Sequence, residues 1–137
     1  MKEWKGTAAV CLNEHHQLLM VQGEDGTDWA VPSGGLEPGE TLRECCIREV
    51  REETGYEVEV VGELYVKRKQ TASGIRVETY YFEARVTGGE LRIADPDGII
   101  THVGWRTPDE VSGCSHAYPE DREFLIDYMT SKRQPER

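Results

Sequence analysis

The stretch GGLEPGETLRECCIREVREETGY, Gly34 to Tyr56, places six glutamates in 23 positions and closes with Glu52 and Glu53 side by side. Thr41-Leu42-Arg43-Glu44 has the chemistry of a helix start, in which the Thr side chain and the Glu three residues later each satisfy a free backbone N–H. Gly55 supplies the stop, because a residue without Cβ readily takes the left-handed conformation that ends a helix. The spacing predicts a helix over residues 42–54, about 20 Å long at ~1.5 Å per residue.

Side chains three and four residues apart share one helix face, so Glu49, Glu52 and Glu53 fall within an arc of roughly 100°. Leu42, Cys46, Ile47 and Val50 form the adjoining apolar arc, which places the carboxylates at the margin of the buried face. Like charges there destabilise a helix by a few tenths of a kcal/mol, and burial raises the cost. A divalent cation removes that penalty, and three hard oxygen ligands suit Mg²⁺ or Mn²⁺. Arg48 is four residues from both Glu44 and Glu52 and can pair with and orient a carboxylate. Ahead of the helix, Gly34, Gly35 and Gly39 let the backbone turn and approach a ligand, with carbonyls toward a metal and N–H groups toward a phosphate.

Outward from this segment, Thr7 to Leu12 and Gln17 to Gln22 read as neighbouring buried strands joined by a polar turn, and Trp29-Ala30-Val31-Pro32 as a short strand. Val58, Val60, Leu64 and Val66 alternate with polar residues, as do Tyr80, Phe82, Ala84 and Val86, which marks two further strands. A last strand is expected near residues 101–106. Phe124, Leu125, Tyr128 and Met129 form the stripe of a second helix entered at Pro119. The expected architecture is α/β: a mixed sheet with helices on its faces, in one domain over residues 1–131 followed by a tail at 132–137.

Composition narrows the function. The 137 residues carry 37% apolar and 31% charged side chains and a net charge of −10, which disfavours a groove for duplex nucleic acid. A phosphorylated ligand then needs cations to mediate. No apolar run approaches the ~18 residues of a membrane span, and no signal-peptide pattern opens the chain, so a cytoplasmic location is expected. Cys11, Cys45, Cys46 and Cys114 have no metal or disulfide spacing and read as reduced, mostly core residues. Cys114 and His116 stand close in sequence, but two such residues without further partners make neither a metal site nor a nucleophile pair.

Gly34, Glu40, Arg48-Glu49, Glu52-Glu53, Gly55 and a bulky apolar residue, at the spacings they hold here, resemble the signature of the Nudix hydrolase family, whose MutT-like members are pyrophosphohydrolases. The motif covers residues 34–56. The flanking strand order, the lead-in at residues 29–32 and the C-terminal helix resemble the rest of that family's α/β/α sandwich. The resemblance implies a Mg²⁺- or Mn²⁺-dependent enzyme in which water attacks a phosphorus of a nucleoside diphosphate derivative and a P–O bond of the diphosphate breaks. It implies Glu49, Glu52 and Glu53 as metal ligands with the Ser33 backbone carbonyl, one acidic residue as general base, Arg48 to orient them, and Glu40 to brace the loop of Gly34 and Gly35. The implied partner is a small nucleotide, with no membrane and no duplex nucleic acid, and a homodimer is compatible with it.

Tyr56 and Ser33 depart from the residues usual at those positions, and both departures leave the carboxylates intact. Glu78, Glu83, Asp95 and Asp97 are acidic residues outside the motif available as a base. The proline marking the family's ADP-ribose enzymes and the tyrosine marking its dinucleoside polyphosphate enzymes are absent, since residues 71–74 are Thr, Ala, Ser and Gly. Trp4, Trp29, Tyr65 and Tyr80 are candidates to stack on a base, and Lys67, Arg68 and Lys69 to meet phosphates. Two rival classes share the fold: a non-catalytic nucleotide-sensing module, which predicts a broken carboxylate set, and isopentenyl diphosphate isomerase, which moves protons on carbon with a Cys and a Glu.

Overall fold

Alternation in the first strand decides how the layers stack. In the computed structural model, which describes residues 2–23, 26–92 and 100–133, β1 (Glu3–Cys11) sends Ala8 and Val10 to one core and Ala9 and Cys11 to another. Both faces of β1 are therefore covered. Leu125 and Met129 of α3 (Arg122–Arg133) pack on the first face, and Cys46 and Val50 of α1 (Leu42–Thr54) on the second.

The mixed sheet divides into two sheets of four strands. One has the order β4-β1-β6-β5, with β4 at Ser33–Gly35, β5 at Tyr56–Gln70 and β6 at Arg76–Gly89. Its β1–β6 pair is parallel and the others antiparallel. The second has the order β7-β2-β3-β8, from His102–Arg106, Leu18–Gln22, Asp28–Ala30 and Ser115–His116.

Several elements differ from the sequence expectation; the short strand expected at residues 29–32 is Asp28–Ala30, and β8 carries no sequence signal. β1 begins four residues before Thr7, because Glu3 to Gly6 pair with Arg76 to Thr79 through backbone bonds that no apolar pattern announces. Ser33, Gly34 and Gly35 form a strand against Ala8, Thr7 and Gly6 rather than a turn. Glycine is disfavoured in strands, but a Cβ at Gly6 would lie 2.4 Å from the Gly34 carbonyl oxygen, so this close pairing excludes side chains. The positive φ belongs instead to Gly39, at 80°. Finally, α2 (Pro108–Gly113) starts with a second capping box, Thr107 and Glu110.

Helix α1 has the expected bounds. Thr41 Oγ1 accepts from the Glu44 N–H at 3.1 Å, and the Thr41 N–H donates to Glu44 Oε1 at 2.9 Å. At the other end Gly55, with φ of 86°, donates its N–H to the Arg51 carbonyl. A Cβ on Gly55 would fall 2.3 Å from the Glu90 carbonyl oxygen, and one on the facing Gly89 would fall 2.5 Å from the Gly55 oxygen. A 3-10 turn at Pro119–Asp121 leads into α3, which runs two residues into the expected tail. Residues 134–137 and the candidates Asp95 and Asp97 lie outside the described residues. None of the described helices is long and apolar enough to cross a membrane.

Candidate catalytic site

The helix period brings Arg48, Glu49, Glu52 and Glu53 to the side of α1 that faces β4. Arg48 is the hub. Its Nε and Nη2 donate to the two oxygens of Glu40 at 2.7 and 2.9 Å, and Nη2 also donates to the Gly35 carbonyl at 2.9 Å. Its Nη1 lies 2.6 Å from Glu49, 3.0 Å from Glu52 and 3.2 Å from Glu37. Glu37 is thus a fourth carboxylate at this guanidinium, drawn from a loop position with no periodicity to reveal it.

The electrostatics follow from these pairs. Glu40's bonds, supported by Glu49, raise the Arg48 pKa above its ordinary value against partial burial. Arg48's bonds in turn lower the pKa of Glu40, which also accepts from the Glu37 N–H. Glu40 therefore ties the loop before α1 to the helix through one arginine.

Glu53 points elsewhere. It is buried, and the Ser33 N–H donates to its Oε1 at 3.3 Å. Gly34 explains why Glu49 fits beside the strand: a Cβ at Gly34 would lie 2.1 Å from the Glu49 carboxylate carbon. Glu49 and Glu53 thus both lie against β4, at Gly34 and Ser33 respectively, while Glu52 joins Glu49 at Arg48 Nη1. Their oxygens suit a hard divalent cation. Among the described residues, however, no group of three or more acidic, His or Cys side chains is already arranged to hold a metal ion; Glu37, Glu49 and Glu52 surround Arg48 Nη1 instead.

Ser33 also borders a cleft of about 240 Å³ on the other side of β4. Trp4 and Tyr118 line it and are 40% and 47% exposed, while Lys67, Tyr81 and Asp121 also line it. Asp121 is almost fully buried and accepts from Tyr81 Oη at 2.5 Å, from Lys67 Nζ at 2.9 Å and from Tyr65 Oη at 3.4 Å. Burial, then the Asp121 bond, raises the Tyr81 pKa. Lys67 also pairs with Glu120 at 2.9 Å; burial alone would lower its pKa, but the two carboxylates outweigh it and the net shift is upward.

The remaining candidates scatter. Tyr65 stacks on Tyr81 with centroids 4.6 Å apart, Trp29 lies under Arg106, and Tyr80 packs in the α1 core; of the four aromatic candidates, Trp4 lines the cleft. Arg68 pairs with Glu78, and Glu83 is engaged by Tyr128 and Lys132 of α3. Cys11, Cys45 and Cys46 are buried free thiols, with burial raising Cys11 to about 11 and Cys46 to about 12. His116 Nε2 sits 2.6 Å from the Val111 carbonyl and 3.6 Å from Cys114. Asp121, Tyr118 and Tyr81 were not legible as site residues, because Asp121 meets Tyr65 and Tyr81 from 56 and 40 residues away. Pro119, as the expected helix entry, was the nearest sequence signal to Asp121.

Comparison with known proteins identifies the family and the fold. Residues 2–128 match the family model described as the NUDIX domain. The 8-oxo-dGDP phosphatase NUDT18 of Mus musculus is 43% identical over 101 residues, covering 71% of this chain and 30% of that protein. The MutT-like protein of Streptomyces ambofaciens is 40% identical over 105 residues, covering 77% of this chain and 64% of its own length. The chain thus spans less than two thirds of either relative. Among solved structures, a NUDIX hydrolase from Nitrosomonas europaea superposes with a TM-score of 0.81 at 28% identity, covering 98% of this chain and 93% of that one.

Proposed function

This chain belongs to the NUDIX domain family, and on that footing we propose that it is a divalent-metal-dependent pyrophosphohydrolase of nucleoside di- or triphosphate derivatives. The observation that carries the reading is that α1 sets Glu49 and Glu53 against β4 at Gly34 and Ser33, with Glu52 beside Glu49 on Arg48, Glu40 bracing Arg48, and an aromatic-lined cleft that Ser33 also borders.

Glu49, Glu52, Glu53 and the Ser33 carbonyl would hold Mg²⁺ or Mn²⁺. Bound there, the metal supplies shielding of the diphosphate charge and a lowered pKa for bound water. Glu52, whose side chain is 28% exposed against 14% for Glu49, takes the proton from the attacking water. The water oxygen bonds to phosphorus, the bond to the bridging oxygen breaks, and the leaving phosphate carries away that electron pair. Arg48 positions the carboxylates, and Glu40 positions Arg48. The nucleoside lies in the cleft, with Trp4 and Tyr118 against its base and Lys67 and Asp121 offering a donor and an acceptor at the floor.

The name of the NUDT18 relative makes 8-oxo-dGDP the first substrate to test. The reading also includes a single domain over residues 1–131 and a cytoplasmic location. The test is a nucleotide panel containing 8-oxo-dGDP, 8-oxo-dGTP and their unoxidised counterparts, assayed with Mg²⁺, Mn²⁺ and EDTA. Metal-dependent release of phosphate or a mononucleotide is expected, with Glu53→Gln reducing it ~10²-fold or more. Absence of metal-dependent turnover across the panel would sink the reading.

A further inference from the structure

The nitrogens of Arg48 divide into two sets. Nε and Nη2 are engaged by Glu40 and the Gly35 carbonyl, at 2.7 to 2.9 Å. Nη1 faces Glu49, Glu52 and Glu37 together, at 2.6, 3.0 and 3.2 Å. One terminal nitrogen has two N–H donors, fewer than the three carboxylates around it. What Nη1 offers is therefore concentrated positive charge, and two of the carboxylates it neutralises are ones assigned above to the metal.

We infer that Arg48 is a stand-in cation: Nε and Nη2 anchor it permanently to Glu40 and Gly35, while Nη1 occupies Glu49 and Glu52 until a divalent ion displaces it. This rests on the reading of Glu49, Glu52 and Glu53 as the metal site. Without such a stand-in, Glu37, Glu40, Glu49 and Glu52 would repel one another across a half-buried cluster. A divalent ion has twice the charge and prefers hard oxygen donors, so it wins the exchange. Glu37, whose side chain is 59% exposed, then keeps Nη1 paired. The device holds the carboxylates ready in the empty enzyme, and it weakens metal binding because each binding event must break two ion pairs.

The sign of one substitution tests this. If Nη1 competes with the metal, Arg48→Gln binds Mn²⁺ more tightly than wild type, about 5-fold by titration followed with electron paramagnetic resonance. The variant should also lose more thermal stability in EDTA than in saturating Mg²⁺, by about 3 °C or more. If Arg48 merely preorganises the ligands, Mn²⁺ binding weakens or stays unchanged and the stability loss in saturating Mg²⁺ equals or exceeds the loss in EDTA, which overturns the inference. Should the variant fail to fold, guanidinium NMR of the wild type decides: saturating Mg²⁺ should shift the Arg48 Nη1 signal and leave Nε hydrogen-bonded, and an unmoved Nη1 overturns it. Wild-type protein that binds no Mn²⁺ removes the metal reading itself, and this inference with it; binding without competition removes this inference alone.

Discussion

Gly34 and Glu49 are pressed together so closely that a single methyl group on Gly34 would sit 2.1 Å from the Glu49 carboxylate carbon. The neighbouring Gly35 is different: a Cβ there meets the Trp4 indole nitrogen at 3.1 Å, which a small ring movement relieves.

Gly34→Ala should therefore push Glu49 off its 2.6 Å pair with Arg48 while leaving the backbone in place. A displacement of about 1 Å in a reacting group costs ~10²-fold, so we expect a loss of that order in kcat/KM with a melting temperature within a few degrees of wild type. Gly35→Ala should retain most activity. Equal activity in the two variants would show that the Glu49 position does not matter to turnover.

Tyr118 is 47% exposed at the cleft mouth, so its ring is available to a ligand and contributes little to the core. Stacking on a base is worth about 1–2 kcal/mol, or roughly 5- to 30-fold in affinity. Tyr118→Ala should raise KM for a nucleotide substrate by that factor, with kcat within about twofold. A fall in kcat at unchanged KM would place the base somewhere other than this cleft.

Asp121 serves three donors at once, Tyr81, Lys67 and Tyr65. Asp121→Ala leaves a half-buried ammonium and a buried hydroxyl with fewer partners, and should cost about 3 kcal/mol in urea unfolding. Tyr65→Phe removes the 3.4 Å bond to Asp121 and the hydroxyl's interaction with Tyr81 but keeps the ring stack, and should cost about 1 kcal/mol. If Tyr65→Phe proves the more damaging, the Tyr65 hydroxyl and not Asp121 holds this end together.

Glu120 gives the molecule an acid-sensitive joint. Partial burial raises its pKa, but Lys69 and Lys67 outweigh that and hold it at about 2, against an ordinary value of 4.5. A carboxylate whose folded pKa is depressed stabilises the fold above its unfolded pKa and loses that contribution as pH falls through the folded one. The melting-temperature gap between wild type and Glu120→Gln should thus be full above pH 4.5 and close as pH falls toward 2. A gap independent of pH over that window would mean Glu120 contributes by packing and not by charge.

The site was legible where chemistry repeats with the helix period. Thr41 and Glu44 named the start of α1, Gly55 its end, and the three- and four-residue spacings the shared face of Glu49, Glu52 and Glu53. Thr107 and Glu110 carry the same capping signal for α2. Other parts had no local signature. Ser33 to Gly35 became a strand only because β1 lies beside them. Glu37 reached Arg48 because Gly39 turns the loop, with φ of 80°. The Lys67–Asp121 pair joins residues 54 apart, a closure that only the packing of α3 against the sheet decides. The division into two sheets was equally hidden, since alternation reports which residues face inward and not which strands are neighbours.

The back-to-back glycines at 55 and 89 make α1 a calibrated spacer. Its first turn is clamped by Thr41 and Glu44, and its last is wedged where neither Gly55 nor Gly89 has room for even one added carbon. One residue inserted between those ends would swing every later side chain by about 100° and advance it by ~1.5 Å, carrying the carboxylates off β4 with no slack at either end to reabsorb the step. Between residues 41 and 55, then, the length of this chain is held as firmly as the identity of its carboxylates, and tolerated insertions belong at the hairpin turn around residues 71–75.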